Sequence, residues 1–258
     1  MIIPLAIGAR PVGFVYIETM HPLSTSDRNL IHVLAQQCSS ALENKKLHLE
    51  VQESFDHAID MLAEVAEFKD KNTGGHISRI DNYTRTVALE LGVPPEEARL
   101  WGKASRLHDV GKIGVPDALL QKAGKLTEEE FDEIRKHTHI GASILDHDKF
   151  MSIAREVAYS HHERWDGKGY PVGRRSRELS LLTRIVSVVD VFDALMSPRP
   201  YKEPWTVEEA IAEIEKGAGS QFDPTVVTAF LAILRRGGFD ENIESSRTGT
   251  NLRTGERT

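Results

Sequence analysis

A single cysteine, Cys38, occurs in the 258 residues, so no intramolecular disulfide can form and a reducing, cytoplasmic setting is expected. No run of about 18 apolar residues exists, which excludes a membrane-spanning helix from the sequence pattern. The first residues lack the basic segment and long apolar stretch of a secretory signal. An excess of positive charge is also missing: the net charge is −7, so no global basic field would attract long nucleic acid. No internal repeat is visible. The length allows one large domain or one medium domain plus an attachment, and apolar residues at 40% suffice for a packed core.

Histidine is plentiful, with 11 in all, and clustered in motifs. Residues 161–171 read HHERWDGKGYP, two adjacent histidines before a glycine-punctuated turn. Neutral imidazole is a common transition-metal ligand, and two side by side can converge on one ion from a helix end. A second stretch, His108-Asp109-Val110-Gly111-Lys112, sets an imidazole beside a carboxylate, with a lysine one turn after the acid.

In chain order, residues 2–19 predict a β-hairpin turning at Ala9-Arg10-Pro11. A long helix follows from a start at Ser24–Asp27 to about residue 68. Leu30, Leu34, Cys38 and Ala41 share one stripe, where Cys38 is read as a small packed residue. Val51, Phe55, Ala58, Leu62 and Val65 keep the spacing of a coiled-coil seam. A homodimer through residues 26–68 and an amphipathic helix lying on its own domain both fit.

From about residue 70 the chain reads as helical. Helices are expected over Ile80–Leu91, Glu96–Asp109, Ile153–His161 and Leu181–Leu195. Others open at the capping boxes Thr127–Glu130 and Thr206–Glu209, and at Asp223-Pro224. The polar tail over 238–258 is expected to be disordered. His108 and Asp109, on a helix, would stand about 100° apart and address one centre from neighbouring directions.

The candidate ligands are His76, His108, Asp109, His137, His161, His162 and Asp190. Asp190 lies in the apolar run VSVVDVFDAL, where an unpaired carboxylate is costly to bury unless it meets an arginine or a cation. Mixed imidazole and carboxylate ligation suits Fe, Mn, Zn, Ni or Co. Seven ligands exceed the needs of one ion, and a bridging Asp109 would account for the surplus. His139, two residues after His137, turns about 200° away on a helix and is read as a non-ligand. Trp101, Trp165 and Trp205 are read as packing residues, with Trp165 the best placed to stack a base.

HDVGKIGVPD at 108–117, HTHIG at 137–141, HHERWDGKGYP at 161–171 and DVFDALMSPRPYK at 190–202 together resemble the HD-GYP branch of the HD phosphohydrolase superfamily. The resemblance runs from about residue 70 to 236. It implies a mainly α fold, an HD-superfamily helical bundle joined to the N-terminal hairpin by a long connecting helix. It also implies that the seven candidates ligate metal and that the enzyme hydrolyses cyclic di-GMP. A hydroxide between two divalent ions would attack phosphorus, giving pGpG and, after a second cut, GMP. Lys112 matches the lysine beside the scissile phosphate, and Arg199 and Lys202 match phosphate-holding residues. Gly169, Tyr170 and Pro171 would shape a substrate loop.

Three-metal members carry a glutamate four residues before the position of His76, where this chain has Asn72, so two ions are expected. Residues 1–48 resemble the C-terminal end of a GAF sensor domain, with 49–69 connecting and 70–237 catalytic. The runner-up function is a catalytically weak module that binds a cyclic dinucleotide or a partner. An HD hydrolase of another phosphate substrate is disfavoured by the GYP and RPYK segments.

Overall fold

A computed structural model describes residues 1–7, 10–70, 75–122, 124–145, 149–197 and 204–239. The chain divides into two compact units, Met1–Ala58 and Ile59–Thr258. In the first, β1 (Ile2–Ile7) and β2 (Arg10–Tyr16) pair antiparallel, from Ile2 opposite Tyr16 to Ile7 opposite Arg10. Arg10 and Pro11, expected in the turn, already belong to β2, while Ala9 lies outside the described residues.

The helix α1 (Thr25–Asp70) contributes to both units. Its buried positions in the first unit are Ala35 and Ser39, not the expected stripe. Leu30 is 60% exposed, Leu34 is 54% exposed, and Cys38 is exposed rather than packed. Small side chains occupy the covered face and larger apolar ones the open face. The same offset recurs in the second unit, where Ile59, Ala63 and Ala66 are buried one residue beyond the predicted seam. Val51 and Val65 on that seam are 67% and 55% exposed.

The second unit continues with α2 (His76–Glu90), α3 (Pro95–Ser105), α4 (Asp117–Leu120), α5 (Glu128–Ile144) and α6 (Lys149–Ser160). It ends with α7 (Leu181–Met196), α8 (Val207–Gly217) and α9 (Pro224–Arg235). Local chemistry explains several starts. Thr127 and Glu130 cap each other's orphan groups at α5, and Thr206 with Glu209 does so at α8. Asp223 accepts from Thr225 N, with Pro224 at the first helical position of α9.

The helix α7 is the central element, with Ile185, Val186, Val188, Val189, Phe192 and Met196 fully buried. Tyr83 from α2 meets Phe192 and Phe230 edge to face, centroids 5.9 and 6.5 Å apart. This aromatic centre fixes α2, α7 and α9 together, so His76 at the start of α2 is held near Asp190 of α7. His108 and Asp109 are not helical, contrary to expectation. They occupy the turn after α3, and Asp109 stands immediately before a short 3-10 turn, Val110–Gly114.

Candidate metal centre

The seven candidate residues fall into two groups, each with ligand atoms within 4.8 Å of one another. One holds Asp109, His137, His161 and His162, and the other holds His76, His108 and Asp190. Backbone packing explains part of this convergence. A Cβ on Gly111 would lie 1.8 Å from the His137 carbonyl oxygen and 2.5 Å from Gly141 N. Only glycine lets the turn after Asp109 lie directly on α5, which brings Asp109 to His137.

Four of the imidazoles have one nitrogen committed outward. Nδ1 of His108 donates to the Ser105 carbonyl at 2.9 Å, and Nδ1 of His137 to the Ile134 carbonyl at 2.7 Å. Nδ1 of His161 donates to the Val157 carbonyl at 3.0 Å, and Nδ1 of His76 to Oδ2 of Asp193 at 2.7 Å. Such bonds fix the tautomer and turn the Nε2 lone pair inward. The Nε2 atoms of His137 and His161 stand 3.5 Å apart. Nε2 of His76, Nε2 of His108 and Oδ1 of Asp109 are buried without a hydrogen-bond partner among the described residues. Buried lone pairs facing one another repel unless a cation lies between them, so the donor set fits divalent metal.

Asp109 reaches both groups. Its Oδ1 lies 3.6 Å from Nε2 of His137 and 3.6 Å from Nε2 of His161. Its Oδ2 lies 3.3 Å from Nε2 of His108 and 2.7 Å from Nζ of Lys112. Asp190 Oδ1 is 3.6 Å from Nε2 of His108 and 3.8 Å from Nε2 of His76. Arg184, weighed as a partner for Asp190, instead pairs with Asp223.

The electrostatics are uneven. Burial pushes the His137 imidazole down to about 4, and it pushes His162 well below the usual range. Burial would raise the Asp109 carboxyl, but Lys112 and His108 outweigh it and hold it well below the usual carboxylate range. For His108, Asp109 and Asp190 outweigh burial and raise the imidazole well above its usual value.

Lys112 and Tyr170 border this centre, while Gly169 packs on the backbone of residues 162–164. The Tyr170 ring stands 4.8 Å from that of His162, tilted by 31°. Arg199 and Lys202 lie outside the described residues, as does Asn72. His139 is exposed and meets Tyr159 edge to face at 5.1 Å. Trp165 lies under the Arg184 guanidinium, 5.9 Å from its ring centre.

Sequence reasoning missed three acidic groups. Asp193 is fully buried and accepts from Nε of Arg79 at 2.6 Å as well as from His76. The burial argument that singled out Asp190 applies equally one turn later. Glu163, in the same triplet as the histidine pair, is 1% exposed and takes the loop amides of Val172 and Gly173. Glu67 of α1 lines a small recess with His76, Arg106, His108, Asp109 and Lys112, and burial pushes its carboxyl up.

The HD domain pattern matches residues 60–226. Among curated proteins, a 3′3′-cGAMP-specific phosphodiesterase of Vibrio cholerae is 36% identical over 84% of this chain and 42% of its own length. A cyclic di-GMP phosphodiesterase of the same organism is 39% identical over 81% of this chain and 45% of its own. The chain thus spans about half the length of these curated relatives. A solved cyclic GMP-AMP-specific phosphodiesterase of V. cholerae shares the fold, with a TM-score of 0.54 at 17% identity, over 74% of this chain and 52% of that one.

Proposed function

The chain belongs to the HD domain family, and from that premise we propose that it is a metal-dependent phosphodiesterase of the HD-GYP branch, acting on cyclic di-GMP. The observation that carries this reading is the set of Nε2 atoms of His76 and His108 and Oδ1 of Asp109, buried beside Lys112 without a hydrogen-bond partner among the described residues. The relatives named as phosphodiesterases of cyclic di-GMP and of 3′3′-cGAMP support a cyclic dinucleotide as substrate.

In this reading His76, His108 and Asp190 would hold one ion and Asp109, His137, His161 and His162 another, with one Asp109 oxygen turned toward each group. The ions would be Fe, Mn, Ni, Zn or Co. Bound there, divalent ions would supply Lewis acidity to a water and to the phosphate oxygens. The chain's residues do the rest. Lys112 sets a fixed cation at the edge of the centre, where it can offset charge gathering on a non-bridging phosphate oxygen. The Nδ1 hydrogen bonds of His76, His108, His137 and His161 hold protons on the far side of these four rings, keeping their inner nitrogens free of competing donors. Arg199 and Lys202 would hold the second phosphate. The products are pGpG and, after a second cut, GMP.

Residues 1–48 are read as the end of a GAF-like sensor and 49–69 as its connector to the catalytic part. The exposed seam of α1, with Val51 and Val65, fits a homodimer. Light scattering at micromolar concentration would show a dimer, and Val51→Glu with Val65→Glu would shift it to monomer. A monomer at every concentration would refute the assembly.

The activity is tested by elemental analysis of the purified protein together with chromatography of products from cyclic di-GMP. Bound transition metal and release of pGpG are expected. A metal-loaded protein that leaves both cyclic di-GMP and 3′3′-cGAMP intact would refute the enzymatic reading.

A further inference from the structure

Five histidines face the centre, but only four are oriented by a hydrogen bond on Nδ1. The ring of His162 has no hydrogen bond among the described residues and is oriented by ring packing alone. Its neighbours are His161 at 4.0 Å, His137 at 5.1 Å and Tyr170 at 4.8 Å, between centroids. The first two are candidate ligands themselves, so among the described residues Tyr170 is the one ring contact from outside the donor set. A tyrosine in a loop can orient a histidine only if the loop backbone is itself fixed.

The loop is fixed by Glu163. Oε1 accepts from Val172 N at 2.8 Å and Gly173 N at 3.0 Å, and Oε2 accepts from Gly173 N at 3.0 Å. Two consecutive amides aimed at one carboxylate form a small anion-holding nest, here closed by the chain's own side chain. The near end of the loop is pressed onto the same residue. A Cβ on Gly169 would lie 2.5 Å from the His162 oxygen, the Glu163 Cα and the Arg164 nitrogen. Tyr170 N then donates to the His162 carbonyl at 3.3 Å. The far side of the Tyr170 ring is backed by Phe131 at 6.1 Å and by the Arg135 guanidinium at 5.5 Å.

We propose that Glu163 is a positioning residue: its carboxylate ties residues 169–173 to the histidine pair, and so holds Tyr170 over His162 in the orientation that lets His162 ligate. The Glu163 carboxylate accepts from the Val172 and Gly173 amides rather than from a candidate ligand side chain. It acts through Tyr170, and its position beside the histidine pair places the clamp and the clamped ligand on one stretch of backbone.

The test uses the full chain with Glu163→Gln, Tyr170→Ala and the double variant. Glu163→Gln keeps the volume but turns an amide donor toward a backbone N–H. Amide exchange within 169–174 should accelerate about tenfold or more, while α7 is unchanged. Titration with Mn²⁺ should show about tenfold weaker binding at one of the two groups, as expected when a ligand loses its outer support. Tyr170→Ala should weaken binding similarly, and the double variant should be no weaker than Tyr170→Ala alone, because both act along one chain of contacts. Additive losses, or unchanged exchange in the loop, would overturn the proposal. Should Glu163→Gln fail to fold, the unmodified protein still decides: fast exchange at the Val172 and Gly173 amides would rule the clamp out, and protection there would support it. The Mn²⁺ arm rests on the metal-centre reading above and the exchange arm does not, so the two can fail separately.

Discussion

Asp193 and His76, 117 positions apart, meet through a 2.7 Å hydrogen bond from Nδ1 to Oδ2 inside the second unit. Arg79 holds the same carboxylate from the other side, through Nε at 2.6 Å and Nη2 at 2.9 Å. Asp193 thus fixes the tautomer of His76 and is itself kept ionised by the Arg79 guanidinium, against the opposing effect of burial.

Asp193→Asn keeps the side-chain shape and removes the charge. Metal affinity at the His76, His108 and Asp190 group should fall about 10- to 100-fold. Competition with a chromophoric chelator measures it, and melting temperature reports the separate loss of the Arg79 ion pair. Unchanged affinity would show that His76 needs no carboxylate behind it.

Asp109→Ala should remove metal from both groups, because one oxygen of Asp109 faces each of them. Phosphodiesterase turnover should vanish with the metal. A full metal load in this variant would refute the bridging role.

Two ions are expected per chain, since the position four residues before His76 is Asn72, whose neutral oxygen is a weak donor. Anomalous diffraction from crystals grown without chelator counts them. Three fully occupied peaks would contradict the expectation. Asn72→Glu is the complementary variant and should raise the count by one.

The metal-free protein should lose stability on acidification through the histidine range. His137 falls from 6.5 unfolded to about 4 folded, so between these values the unfolded chain binds the extra proton. Stability contributed by its burial in the neutral form is present above about pH 6.5 and is lost as pH falls toward 4, by about 3 kcal/mol. His162 shifts in the same direction. His108 is raised, so its contribution is present below about 6.5 and declines as pH rises through its folded value. Urea midpoints in chelator at pH 7 and pH 4.5 test this. An equal or higher midpoint at pH 4.5 would contradict it.

Much of the molecule was legible without coordinates because its signals are local or chemical. The Thr127–Glu130 and Thr206–Glu209 boxes and the Asp223-Pro224 start involve groups within one helical turn. Local spacing therefore predicts them. The candidate ligands stood out because a carboxylate in an apolar helix and paired histidines need a partner whatever the fold. Tertiary structure decided the rest. The stripe of α1 that is buried, Ile59, Ala63 and Ala66, lies one residue from the seam that spacing favoured, because which helix face is covered depends on the elements packed around it and periodicity does not register that. The HD pair left the helix for a turn because Gly111 must lie against the backbone of α5. The orienting role of Glu163 and the partners of Asp193 became visible only once folded, because they are fixed by contacts across the loop and the core. Residue chemistry nominates the ligands, and long-range packing determines which atom of each faces the centre.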